Sequence, residues 1–113
     1  MKMNIAMIEA HVPKSELDRM EQNATEATNF LKAIGHEGRL MILCHLVSGE
    51  KTVTELEERL ALRQAAVSQQ LARLRLEGLV IPRREGKAIY YRLSDDRSRR
   101  MIALIYELFC KVD

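Results

Sequence analysis

The chain has 113 residues, of which 47% are hydrophobic and 30% charged, as in an ordinary soluble globular protein. It has no apolar run near the roughly 18 residues of a membrane-spanning helix and no secretory signal pattern, so we expect a single cytoplasmic domain, 1–113, whose two cysteines stay reduced. The net charge of +2 is unevenly distributed, because residues 63–100 hold 10 basic and 4 acidic side chains. Charge alone favours a solvated surface here, but the basic stretch is a reason to look for an anionic partner on one face.

The first predicted helix spans residues 15–35, and we expect residues 1–14 before it to be flexible. Ser15, with Asp18 three residues later, is typical of a helix N-cap. A second helix is predicted from Leu40 to Val47, after a break at residues 36–38. The apolar residues of the first helix recur in alternating steps of three and four, which indicates packing along another helix; they are Leu17, Met20, Ala24, Ala27, Leu31 and Ile34.

Residues 53–77 are predicted to form two helices joined by a tight turn. Thr52 and Glu55 have the spacing of a capping box for the first of them. The second runs from Gln64 to about Glu77, and Gly78 follows as a terminator. Its buried side is defined by three apolar residues at helical spacing, Val67, Leu71 and Leu74.

A β-hairpin is predicted over residues 79–93, with its turn at Glu85 and Gly86. Pro82 has no N–H to donate, so its strand should lie at a sheet edge or turn that position to solvent. A last helix, 95–111, is apolar almost all round between residues 101 and 110. Such a helix needs cover on two sides, and we expect a second copy of the chain to supply one of them. The helices 15–35 and 95–111 are thus the predicted homodimer contacts.

This order of elements is that of a winged helix-turn-helix protein, mainly α-helical with a small β-hairpin, and dimeric. The basic stretch coincides with the second helix of the helix-turn-helix, here called the recognition helix, and with the hairpin, called the wing. The outward side of the recognition helix is expected to face the major groove of double-stranded DNA, where an amide such as that of Gln69 can bond an adenine edge. The predicted contact residues on that helix are Gln64, Ala65, Ser68, Gln69 and Arg73, with Ala72 beside them.

The wing carries three cations around its turn, Arg83, Arg84 and Lys87. Long cationic side chains at such a position can bind phosphates or enter a narrow minor groove. We therefore predict that they position the protein on any duplex. A charged hairpin that merely keeps the protein soluble is the alternative interpretation.

From Phe30 to Cys110 the chain resembles the ArsR/SmtB-type regulators. "LKAIGHEGRLMIL" is similar to the family's second helix, "AAVSQQLARLRLEGLV" to its recognition helix and "RREGKAIYYRL" to its wing. The resemblance implies a homodimer that binds an inverted-repeat operator and is released by an inducer. Arg63 departs from the pattern, since the family commonly has a serine there that caps the recognition helix. Unless a Thr or Ser elsewhere takes its place, the missing cap costs about 1 kcal/mol of stability.

The resemblance does not extend to the family's metal sites. Where metal-responsive members carry a Cys-x-Cys sequence, this chain has "KTVTEL", and no histidine follows His45. A transition metal needs three or four ligands close together, and the spacing of His11, His36 and His45 in the sequence is not that of such a site. We therefore predict neither a metal nor another cofactor.

Cys44 and Cys110 are the predicted sensor. A cysteine in the second helix with another at the end of the last helix resembles the persulfide-responsive BigR/SqrR-like subgroup, which implies a repressor that leaves its operator when reactive sulfur species link the thiols. Cysteines on separate helices need not meet the Cα limit of about 7 Å for a disulfide, and inserted sulfur relaxes that limit.

Other functions remain open from the residues alone. The thiols could instead respond to an oxidant by forming a disulfide, or to a thiophilic metal or metalloid such as arsenite. The same fold could also serve as an architectural DNA-binding dimer that senses nothing. An enzyme is not predicted, because the sequence has no Gly-rich phosphate loop, zinc-ligand spacing or plausible catalytic triad.

Overall fold

The computed structural model describes residues 14–111, which form five α-helices, a π-helical turn and three β-strands. The chain divides into two compact units, Met1–Lys32 and Ala33–Asp113, and each is described by itself. The expected flexible segment, 1–14, lies outside the described residues except for Lys14, which is helical. No helix within residues 14–111 is both long and apolar enough to cross a membrane.

Helix α1 spans Lys14–Ile34. Ser15 lies inside this helix, so the prediction that it is the N-cap is wrong, because an N-cap has non-helical backbone. The apolar seam predicted for this helix leaves Met20 and Leu31 exposed to solvent within their unit. Ala33 and Ile34, at its C-terminal end, are buried in the second unit.

Helix α2 spans Glu37–Leu46, one residue short of its predicted end. The break predicted before it is an N-cap: the Nδ1 atom of His36 accepts hydrogen bonds from the backbone N–H groups of Gly38 and Arg39, at 3.1 and 3.4 Å. Histidine is not among the usual N-cap residues, which is why the sequence indicated a break without its cause.

Helices α3, Val53–Leu60, and α4, Gln64–Leu76, form the predicted helix-turn-helix. The capping box is confirmed, because the Glu55 N–H donates to the Thr52 hydroxyl and the Thr52 N–H donates to the Glu55 carboxylate, both at 3.1 Å. Arg63 precedes α4 and makes no side-chain cap hydrogen bond, so the predicted loss of a cap is confirmed.

The sheet has three antiparallel strands, β1 (Lys51–Thr52), β2 (Val80–Glu85) and β3 (Ala88–Leu93), in the order β1-β3-β2. The predicted hairpin is therefore confirmed, and Pro82 lies on the edge strand β2 as its missing N–H required. Strand β1 was not predicted, because two residues are too few for an alternating pattern. Gly86, with φ +61, makes the hairpin turn in a backbone region that favours glycine.

Helix α5 spans Asp96–Ile105 and continues into a π-helical turn, Tyr106–Cys110. Asp95 caps the helix by accepting the Ser98 N–H at 2.6 Å. The Lys111 N–H donates to the Tyr106 carbonyl at 2.8 Å, five residues back instead of four. The predicted helix 95–111 is thus not uniformly α-helical, and its winding changes at Tyr106, in the turn that ends at Cys110.

The core of the second unit lies around α2, which packs against α3, α4, α5 and β3. The prediction that Val67, Leu71 and Leu74 form the inward side of α4 is confirmed. These elements form a winged helix-turn-helix fold in which α4 is the recognition helix and the β2–β3 hairpin is the wing. The fully buried side chains of the unit are Ile42, Leu43, Leu56, Val67, Leu71, Leu74 and Ile102.

Candidate nucleic-acid interface and thiol pair

The outward side of α4 presents the predicted DNA-contact residues to solvent. All are exposed: Gln64, Ala65, Ser68, Gln69 and Arg73, together with Ala72. The Arg73 guanidinium donates to the Glu77 carboxylate at 3.0 Å, one helical turn away. The Gln69 amide has both a donor and an acceptor group, the combination that pairs with an adenine edge in the major groove.

In the wing, Arg83 differs from the other two cations. Its guanidinium donates to both oxygens of Glu50, at 3.2 and 2.5 Å, and to Glu85 at 2.8 Å. It also stacks 4.7 Å above the centre of the Tyr90 ring. The hydrogen bonds from Arg83 lower the pKa of Glu50, so this carboxylate stays charged and offsets the arginine.

Arg84 and Lys87 are exposed, and no carboxylate among residues 14–111 forms an ion pair with either of them. They present uncompensated positive charge at the tip of the wing. Sequence reasoning missed the part played by Glu50, because 33 residues separate it from Arg83 and no local pattern links them. The contact of the wing cations with DNA stays a prediction.

The two cysteines lie together although 66 residues separate them in sequence. Cys44, on α2, is buried, while Cys110, at the end of the π-helical turn, is half-buried. Their Sγ atoms are 3.4 Å apart, within hydrogen-bonding distance for two thiols, and both are free. The two sulfurs are thus in direct contact although they belong to separate helices.

The pair affects the ionisation of its buried member. Burial, the hydrogen bond with Cys110 and electrostatic repulsion by Cys110 together raise the pKa of Cys44 to about 12. Cys44 is therefore a neutral thiol at physiological pH.

A second titratable side chain of α2 is that of His45, the residue after Cys44. Partial burial, Arg59 and Lys51 lower the pKa of this imidazole. Lys51 is buried, and its ammonium group donates hydrogen bonds to the Ser48 hydroxyl and the Gly49 carbonyl, both at 3.1 Å. Within residues 14–111, no three His, Cys, Asp or Glu side chains are grouped to hold a metal ion, and His11 lies outside that range.

The comparisons with known proteins agree with this fold. Residues 36–81 match the family model described as bacterial regulatory protein, arsR family. Over 94 residues the chain is 48% identical to a biofilm growth-associated repressor of Agrobacterium fabrum, a match that covers 83% of this chain and 80% of that protein.

Solved structures are similar over most of the chain. Reduced HlyU from Vibrio cholerae N16961 has a TM-score of 0.78 and 45% identity, and the match covers 82% of this chain and 98% of that one. The repressor BigR from Xylella fastidiosa has a TM-score of 0.76 and 42% identity, with 82% and 92% covered. With relatives this similar over most of their length and the winged helix-turn-helix fold in common, the chain belongs to the arsR family of bacterial regulatory proteins and is BigR-like within it.

Proposed function

We propose that this protein is a transcriptional repressor that binds its operator as a homodimer and releases the DNA when Cys44 and Cys110 are linked by sulfur from a persulfide or polysulfide. The repressor part is supported by the similarity to the biofilm growth-associated repressor and to BigR. The sensing part rests on one observation, the 3.4 Å separation of the two Sγ atoms.

This separation suits the insertion of one sulfur atom. Two S–S bonds of about 2.05 Å that meet at a bent central sulfur place the outer sulfurs about 3.3 Å apart. A trisulfide could thus join Cys44 and Cys110 with almost no movement of either Sγ atom. A plain disulfide requires the sulfurs to approach by more than about 1 Å, which side-chain rotation could supply or the packing of the helices could oppose.

A bridge between these residues would connect the sensor to the DNA-binding elements. Cys44 belongs to α2, which packs against the recognition helix α4, and Cys110 ends the segment expected at the dimer contact. A link that favours one orientation of the two recognition helices would change operator affinity. A coupling of about 1 to 3 kcal/mol corresponds to a 5- to 150-fold change.

The DNA-binding part makes its own prediction. A two-fold dimer presents two recognition helices to successive major grooves, so the operator should be an inverted repeat with half-sites about one helical turn apart. Replacing Gln69 with alanine should relax the preference for the operator over unrelated DNA by removing a base contact. Binding assays with operator and scrambled duplexes measure that preference, and an unchanged ratio for Gln69→Ala would remove Gln69 from the proposed contacts.

The sensing part is tested by treating the operator complex separately with sodium trisulfide, hydrogen peroxide and arsenite. We expect trisulfide to release the DNA, with intact-mass spectra that show added sulfur within single chains. Cys44→Ser and Cys110→Ser should bind DNA normally and not respond. Release by peroxide with a mass loss of two hydrogen atoms would support the disulfide alternative, and release by arsenite alone would support a metalloid sensor.

Two results would contradict the proposal. One is a serine variant that still leaves the operator on trisulfide treatment, and the other is a bridged wild type that binds as tightly as the reduced form.

A relative at 44% identity is named transcriptional activator HlyU, so transcription from an operator-bearing promoter should be measured as well. We expect the reduced protein to lower it.

A further inference from the structure

We infer that the two thiols react in a fixed order, in which Cys110 takes the first sulfur from the donor and Cys44 then closes the bridge. This inference rests on the proposed function and assigns different roles to the two members of the pair. It is carried by the different burial of the two sulfur-bearing residues and by their contact.

Access favours Cys110. Cys44 is only 6% exposed, and the residues before it on α2, Ile42 and Leu43, are fully buried. Cys110 is half-buried at the end of the π-helical turn, next to the exposed Lys111 where the helix ends. A sulfur donor in solution therefore reaches Cys110 before it reaches Cys44.

Ionisation agrees with this order, because the thiolate is the nucleophile in sulfur exchange. A pKa of about 12 keeps Cys44 protonated at neutral pH. Burial is the largest cause of this pKa, and the hydrogen bond and the electrostatic effect of Cys110 add to it. Once the Cys110 Sγ atom is bonded to another sulfur it is no longer a thiol, so its two contributions to the pKa of Cys44 weaken, while the burial of Cys44 remains. The first reaction thus promotes the second.

The two steps balance with an inorganic trisulfide, HS–S–SH, as the donor. The Cys110 thiolate attacks the central sulfur, one S–S bond breaks and HS⁻ leaves, which gives Cys110–S–S–SH. The Cys44 thiolate then attacks the same transferred sulfur, the second original S–S bond breaks and another HS⁻ leaves. The product is the trisulfide Cys44–S–S–S–Cys110. The two cysteine sulfurs are oxidised by two electrons in total, and the two outer sulfurs of the donor are reduced to sulfide.

The order is tested first on the reduced wild-type protein. A brief treatment with limiting iodoacetamide at pH 7.5, followed by peptide mass spectrometry, gives the alkylation rate of each thiol without any substitution. We expect Cys110 to react at least about tenfold faster than Cys44. Equal rates, or a faster Cys44, would overturn the inference.

The second test follows sodium trisulfide with single-cysteine variants. Cys44→Ser should accumulate an open sulfur adduct on Cys110 that is not converted to a bridge, while Cys110→Ser should react at least about tenfold more slowly. Thermal unfolding of both variants serves as the folding control. The trisulfide reaction of Cys44→Ser is repeated with Cys44→Ala, which has no hydroxyl beside Cys110. A Cys110→Ser protein that reacts as fast as Cys44→Ser would contradict the order.

These results are separable from those that test the proposed function. If Cys110 reacts first and the bridge forms but the DNA stays bound, the order stands and the proposed release mechanism fails. If trisulfide releases the DNA but Cys44 reacts first, the release mechanism stands and the order fails.

Discussion

Cys44 and His45 are adjacent on α2, yet they face different surroundings. Cys44 meets the Cys110 thiol, and burial with that contact raises its pKa. His45 is half-buried near the cations Arg59 and Lys51, and burial with their repulsion lowers its pKa. Both shifts favour the uncharged side chain, so this part of α2 carries no side-chain charge at neutral pH.

The lowered pKa of His45 predicts an acid-sensitive contribution to stability. An imidazole that binds its proton less readily in the folded than in the unfolded protein stabilises the fold above its ordinary pKa of 6.5, and this contribution is lost as the pH falls below that value. The free energy of unfolding should therefore decrease between pH 7.5 and 5.5 by more in the wild type than in His45→Gln. Urea denaturation at both pH values measures this. At pH 8 both side chains are neutral, so the difference in free energy of unfolding between the two proteins there is the baseline. The same pH dependence in both proteins would contradict the lowered pKa of His45.

At the scale of elements, the wing is attached to the body of its unit in two ways. Strand β1 pairs with β3, with Lys51 opposite Tyr91. Arg83 of β2 also binds Glu50, in the segment just before β1. The base of the hairpin is thereby fixed, while Arg84 and Lys87 near its turn stay exposed. This division indicates different roles for the three wing cations.

We predict that Arg84→Gln and Lys87→Gln each weaken binding to every duplex and lower the slope of log affinity against log salt by about one. Arg83→Gln should change the slope less, because Glu50 and Glu85 already offset its charge. Glu50→Gln should strengthen binding to any duplex by freeing Arg83. Fluorescence anisotropy over a range of KCl concentrations measures these slopes, and Arg19→Gln on α1 is the control for the loss of one charge. An effect of Arg83→Gln as large as that of Arg84→Gln would contradict this division of roles.

At the scale of the whole molecule, two segments expose large apolar side chains. Met20 and Leu31 of α1 are 41% and 54% exposed. The end of the last helix exposes more: Leu104 is 56%, Leu108 64% and Phe109 82% exposed. Exposed apolar side chains of this kind mark interaction surfaces, and we propose that a second copy of the chain covers each of the two segments.

We predict that the wild type is a dimer at micromolar concentration and that Leu31→Glu with Leu108→Glu gives monomers or aggregates. Charges at these positions would have to be desolvated in the proposed contact. Light scattering during size-exclusion chromatography gives the mass in solution. Leu76→Glu, at an 83% exposed leucine of the recognition helix, is the matched control and should remain dimeric. A folded wild-type monomer would contradict the proposed dimer.

Much of the fold could be predicted from the sequence because its signals are local. The capping box of Thr52 and Glu55 joins residues three apart, and the spacing of Val67, Leu71 and Leu74 determines which side of α4 is buried. The edge position of β2 follows from the missing N–H of Pro82. Each of these features depends on neighbours within a few residues, so helices, turns and the exposed side of the recognition helix could be predicted from the chain itself.

Only the tertiary structure decided the contacts between distant residues. The cysteine pair was predicted by resemblance, but its 3.4 Å separation depends on how α2 packs against α5 and on the π-helical turn that ends at Cys110. The pairing of Arg83 with Glu50 depends likewise on where the hairpin meets the rest of its unit. The close packing of a shared core fixes such distances, whereas a local pattern specifies only which side of an element is buried.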